Sequence, residues 1–195
     1  MAQQQRTISQ VVSTYRDQLT NFVHETLNGS MDAVDMRRAH NALVRQLGPQ
    51  AYMEGLREGG IPAEEADSAD KKAIADWVRG QLSHVNGFAA DTGAARGDSG
   101  KRTGIMTRLG LWIESMQTVG NLGVMSAKKN TMGVWTLGAT EKHCRTCNGL
   151  HGKRHRLSWY SSRGLVPRQP GNAALECKGY KCLCEILDDK GNKLV

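Results

Sequence analysis

Cys144-Arg-Thr-Cys147 and Cys177-Lys-Gly-Tyr-Lys-Cys182-Leu-Cys184 decide how this sequence of 195 residues is read. Together they hold all five cysteines of the chain, within a span of 41 residues. Two thiols three residues apart on a tight turn can face one ion, and thiols from a distant segment complete a tetrahedral shell. A disulfide framework fits less well. The count is odd, and the opening MAQQQRTISQ is polar where a secretory leader needs an apolar core. A redox CxxC pair would not call for the second cluster. The spacing therefore predicts one structural zinc ion, held by Cys144, Cys147, Cys177 and Cys182. Cys184, two residues beyond Cys182, is the alternative fourth ligand. His143, His151 and His155 read as solvated side chains of a basic loop, and Gly149, Gly152 and Gly179 as the residues that let the turns close.

Outward from the cysteines, Met132-Gly-Val-Trp-Thr-Leu137 and Cys182-Leu-Cys-Glu-Ile-Leu187 read as strands, the second closed by a turn at Asp188–Gly191. Charge separates this region from the rest. Residues 127–195 carry 13 Lys and Arg against 5 Asp and Glu, a net of +8, whereas residues 1–126 carry 13 against 14. Four thiolates and one Zn²⁺ account for −2, so a surplus of cations remains. Lys153, Arg154, Arg156, Arg163, Arg168, Lys178 and Lys181 are the candidate phosphate-contacting residues, suited to non-specific binding of DNA. Trp159-Tyr160 beside them could stack on bases, but packing over the module is the simpler role.

Upstream, the apolar period is helical. Ile8, Val11, Val12, Tyr15, Leu19, Phe22 and Val23 form one stripe, ended by Asn28-Gly29. Ser30 is placed to cap a second helix with Asp32 in its first turn, and that helix is expected to stop at Gly48-Pro49. A short helix follows to about Arg57, broken by Gly59-Gly60. A third helix carries Ile74, Trp77, Val78, Leu82, Val85 and Phe88, and a fourth Ile105, Leu109, Trp112, Ile113, Met116, Val119 and Leu122. Between them GAARGDSG, residues 93–100, reads as a mobile solvated loop. Aromatics make up only 5% of the chain, which argues against an all-β sandwich. No run of about 18 apolar residues exists, so no membrane partner is expected. The expected fold is mainly α: an N-terminal helical bundle over residues 1–130, then a small zinc-stabilised β/loop module over 131–195, an α+β layout.

The order of features in the second half resembles the C-terminal module of phage head-morphogenesis proteins, the minor head proteins of the phage Mu F type. It runs from a helix (Trp112 to Ala127), through Val134-Trp135, the CxxC pair, and Gly149-Leu-His-Gly-Lys153, to the closing Cys-Lys-Gly-Tyr-Lys-Cys-Leu-Cys group. The similarity spans roughly residues 105–187. Cys177 stands near a position where many members of that family carry histidine, a ligand exchange compatible with zinc. The resemblance implies a minor virion protein, assembled in the host cytoplasm. Its implied partners are the portal, other head proteins and packaged DNA, and its implied role is in assembly, packaging or genome exit.

An enzyme is not expected. His143, His151 and His155 lie near the cysteines, but no Asp-His pair is present to serve a His-Asn-His nuclease site. The alternative from another class is a zinc-ribbon regulator, which would need a recognition helix carrying base-reading side chains.

Overall fold

A computed structural model describes residues 6–140, 142–180 and 182–195. The elements are α1 (Ile8–Asn28), α2 (Ala33–Glu58), a single 3-10 turn (Ala63–Glu65), α3 (Ser68–Ala94), α4 (Ser99–Ala127), β1 (Met132–Thr136), α5 (Arg145–Leu150), β2 (Arg154–Arg156), α6 (Leu157–Ser162) and β3 (Glu185–Leu187). This is the mainly helical α+β layout the sequence predicts, with one small antiparallel sheet late in the chain. Two compact units form. One takes the chain up to Ala51 together with Asp67–Val119; the other takes Tyr52–Ala66 with Gly120–Val195. The helices α2 and α4 contribute residues to both, so the cysteine-bearing unit includes helical turns upstream of residue 131.

The first unit is a bundle. Val11, Tyr15, Leu19, Val23, Met36, Val44, Leu47, Val85, Phe88, Met116 and Val119 are buried, as are Trp77 and Trp112 on their expected stripes. Local capping explains where its helices start and stop. Thr7 and Gln10 form a capping box at the start of α1, and Gly29, at φ 93°, ends it. Asp67 accepts from the backbone N–H groups of Ala69 and Asp70 at the head of α3.

Three sequence expectations need correction here. Asp32, not Ser30, caps α2: its carboxylate accepts from the Asp35 N–H at 2.8 Å. Second, α2 does not stop at Gly48-Pro49 but runs on to Glu58 with Pro49 inside it. Gly48 is there for packing, since a Cβ on it would lie 2.3 Å from the Trp77 ring. The helix loses one hydrogen bond at proline and is carried across it by buried Leu47, Ala51, Tyr52 and Leu56. Third, the segment 93–100 is no free loop: its ends belong to α3 and α4, and the four-residue link between them is anchored. Arg96 donates to the carbonyls of Thr26 and Met31, at 3.3 and 3.1 Å. Asp98 accepts the Lys101 N–H at 3.1 Å and so starts α4. Arg96-Gly-Asp98 is a structural turn.

His40 lies at the centre of this bundle, fully buried. Its Nε2 is 2.9 Å from the Tyr15 hydroxyl, and its ring meets Trp112 edge-on with centroids 4.5 Å apart. Burial holds the imidazole pKa down, from 6.5 to about 3. The native state therefore binds no proton at His40 where the unfolded chain does, and stability rises with pH through that window. The full contribution is present above pH ~6.5 and is lost as pH falls toward ~3, by about 4 kcal/mol at the end. Urea unfolding between pH 7 and 4 should show this slope, and His40→Leu should flatten it. Losing the Tyr15 hydrogen bond would lower stability at every pH without changing the slope. An unchanged slope in the variant would place the acid sensitivity elsewhere.

Candidate metal centre and basic groove

In the second unit β1 is the middle strand of an antiparallel sheet ordered β2-β1-β3, with Gly133 opposite His155 and Trp135 opposite Ile186. Trp135 is fully buried on the face that also holds Leu150, Leu157, Tyr160, Val166, Leu175 and Ile186. The Tyr160 hydroxyl donates to the Lys153 carbonyl at 2.7 Å. Tyr160 is thus a packing residue, as the simpler reading of the sequence has it. Three of the buried side chains in this small core are thiols: Cys147, Cys182 and Cys184.

All five cysteines converge. Cys144 caps α5, and its sulfur accepts the Cys147 N–H at 3.4 Å. Cys147 follows in the first turn of α5, buried. The loop bearing Cys177 is latched onto this turn from both sides. The Arg145 N–H donates to the Glu176 carboxylate at 2.7 Å, and the Glu176 N–H donates to the Thr146 hydroxyl at 3.2 Å. Past Cys177 the chain takes two left-handed residues in succession, Lys178 (φ 50°) and Gly179 (φ 73°). A Cβ at Gly179 would sit 1.9 Å from the Gln169 carbonyl oxygen, so glycine is required both for conformation and for space. Of the other glycines expected to serve the turns, Gly152 has positive φ and Gly149 is an ordinary residue of α5.

The thiols form two triads that share Cys147: Cys144, Cys147 and Cys177, and Cys147, Cys182 and Cys184. Within each, every pair of sulfurs lies within 4.8 Å. Cys147 and Cys182 are 3.7 Å apart, close to the ~3.8 Å edge of a tetrahedral thiolate shell built on metal–sulfur bonds of about 2.3 Å. The cluster fits a metal ion. The expected set of Cys144, Cys147, Cys177 and Cys182 is divided between the triads, and Cys184 is as much a member as Cys182. The two cysteines are two residues apart, a spacing that keeps side chains on one side of an extended chain, although β3 itself begins only at Glu185. The backbone at Cys182–Cys184 is irregular, and both sulfurs come within reach of Cys147.

The electrostatics of the site favour a cation. Burial pushes the Cys147 thiol up, and burial likewise pushes Cys177 up to about 11. The neighbouring Cys184 side chain, with burial, raises Cys182 as well. Burial also acts upward on Cys144, but the N–H groups of Cys147 and Cys177 outweigh it and hold that thiol below its usual range. Hydrogen bonding to Cys182, and the Gly138 N–H, do the same for Cys184. N–H donors thus stand ready to stabilise thiolates at sulfurs crowded enough to repel one another once ionised. A bound cation removes that conflict. Among the described residues the metal-competent groups contain cysteine only. His143 is held by Thr140, at 3.1 Å from Nδ1, and His155 is stacked on Trp159.

No protein-family model, no curated protein and no solved structure matches this chain.

The expected phosphate contacts fall in two places. Lys153, Arg154, Arg156 and Arg163 are exposed and gathered by β2 and α6. Arg168 and Lys178 belong to the loop network around Asn172, Arg168 being half-buried with φ 60°. Lys181 lies outside the described residues. Beside β2 and α6 is an open groove of about 610 Å³, lined by Arg154, His155, Arg156, Ser158, Trp159 and Ser162 with Met132. Sequence reading picked out its arginines but not its serines. The spacing Ser158-x-x-x-Ser162 on one helix face was the available signal. Arg154 pairs with Asp189; no ion pair involves Arg156 among the described residues. No helix is long and apolar enough to cross a membrane among the described residues.

Proposed function

We propose that this chain is a minor head protein of a bacteriophage. In this reading one structural zinc ion holds its cysteine module, and the cations around that module contact DNA phosphates during assembly, packaging or genome exit. The observation that carries the reading is the convergence of all five thiols within a module that also bears a surplus of positive charge. Zinc suits an all-thiolate, water-poor shell that needs no open coordination position. The ion would supply cross-linking to a core too small to be secure alone. The order of motifs described above supports the head assignment, with the portal and other head proteins as partners. A sequence-reading regulator is disfavoured. The helices of the basic region, α5 and α6, have only six residues each, too short for a groove-reading helix.

Two measurements test this. Mass spectrometry of purified particles and of their precursors should find the chain in few copies relative to the portal; absence from both overturns the head assignment. Binding to unrelated duplexes should be equally tight for each, with log K falling against log salt at a slope near −3.6, about −0.9 for each of Lys153, Arg154, Arg156 and Arg163. Lys153→Ala should reduce the slope by roughly 0.9 whatever the sequence. Strong preference for one duplex would instead indicate base reading.

A further inference from the structure

The groove between β2 and α6 differs from a plain cationic face in what lies between its arginines. Trp159 is half-buried, and the His155 ring stacks on its indole with centroids 3.7 Å apart and planes 14° from parallel. The Arg163 guanidinium lies 4.3 Å from the same ring. A stacked ring pair and a guanidinium over the same indole are therefore gathered beside two hydroxyls, Ser158 and Ser162, and two exposed arginines, Arg154 and Arg156. Among the described residues the acidic group paired there is Asp189, a surface carboxylate in an exposed ion pair with Arg154. Such pairs contribute little and exchange readily for a competing phosphate. The volume of about 610 Å³ is within the range of sites for small organic ligands.

We infer that this groove is a binding site for one or two nucleotides of single-stranded nucleic acid. Arg154 and Arg156 take the phosphate, with Ser158 as hydroxyl donor, and a base joins the Trp159–His155 stack. The reasoning is chemical. Guanidinium forks and hydroxyls bind a phosphate oxyanion, and a planar aromatic–imidazole–guanidinium assembly binds a planar base. An inorganic anion would leave the stack unused, and a flat apolar ligand would leave the arginines unused. A nucleotide unit uses both. Duplex DNA offers the phosphates but keeps its bases stacked inside, so the groove discriminates by strandedness. The inference rests on the nucleic-acid reading above and refines it, because it assigns the tail a preference that phosphate neutralisation alone does not give.

The test uses the full, metal-loaded chain, a fluorescein-labelled oligo-dT and a duplex of equal length in the same buffer. Wild type should bind the single strand more tightly. Trp159→Ala should weaken oligo-dT binding about tenfold, the effect of losing one stacked base, and leave duplex binding within about twofold. Trp159→Phe should retain most of the affinity. Circular dichroism and metal content report whether the alanine variant folds. A measurement free of substitutions stands beside it. Trp77, Trp112 and Trp135 are at most 8% exposed, so quenching of tryptophan fluorescence by oligo-dT or thymidine 5′-monophosphate reports on Trp159. Quenching by the monophosphate, with displacement of oligo-dT by it and not by equal inorganic phosphate, supports the site. Equal displacement by inorganic phosphate reduces the groove to an anion site and overturns the base-stacking assignment. Duplex binding with no single-strand preference and no effect of Trp159 overturns the inference but leaves the wider DNA reading standing. Single-strand binding without duplex binding does the reverse, and binding to neither overturns both.

Discussion

Cys147→Ser is expected to unfold the cysteine module while the helical bundle survives. Cys147 is the one sulfur common to both triads, so its loss breaks both at once. Structural zinc sites contribute about 10–16 kcal/mol in small modules, far more than this core can lose and stay folded. Metal analysis should fall from about one ion per chain to near none, and the near-ultraviolet signal of Trp135 should disappear. Most far-ultraviolet helicity should remain, because α1, α3 and the larger parts of α2 and α4 have a core of their own. Chelation of the wild type should reproduce the change, and acid should favour it, since each ligating thiolate must be deprotonated. Cys177→Ser and Cys184→Ser should be milder, because four thiols remain in each, including Cys147. A metal-free protein with a fully ordered module would show that the thiols are only packed.

That expectation depends on geometry the sequence reveals in part. The CxxC pair and the distant group are legible from spacing, because turn chemistry and thiol chemistry are local. So is the shared side of Cys182 and Cys184, since residues two apart on extended chain line one face. That both triads meet at Cys147 is not legible, because it depends on how distant segments pack. The Glu176 latch is equally silent in sequence, since nothing local pairs a carboxylate before Cys177 with the backbone at Arg145. In the bundle, the apolar stripes and the Asn28-Gly29 stop were legible because helix period and left-handed caps are written in a few residues. Gly48-Pro49 misled for the opposite reason. Its local signal says stop, and the signal that wins is the Trp77 ring, 29 positions away in the chain, lying where a Cβ would be. The segment at 93–100 misled in the same way. Glycine, serine and aspartate suggest a mobile loop until Arg96 is seen bonded to the end of α1 and Asp98 to the start of α4.

Gly123→Ala and Gly55→Ala should each destabilise the second unit by about 3 kcal/mol or more, although alanine is the better helix former by about 1 kcal/mol. A Cβ at Gly55 would lie 2.0 Å from the Gly120 carbonyl oxygen, and one at Gly123 would lie 2.1 Å from the Tyr52 carbonyl oxygen. Both obstacles are backbone, so no rotamer change relieves them. The last turns of α2 and the matching turns of α4 would have to separate, opening space around Leu56 and Met125, which are fully buried. Gly80 and Gly110 provide the control. They are helical, and nothing lies within 4 Å of an added Cβ. There alanine should stabilise by up to ~1 kcal/mol through propensity alone. Urea midpoints of the four variants, compared at constant m-value, should thus split in sign. Loss at Gly55 and Gly123 with gain at Gly80 and Gly110 would show that close helix contact governs these positions. A gain at all four would mean the two helices are not in backbone contact.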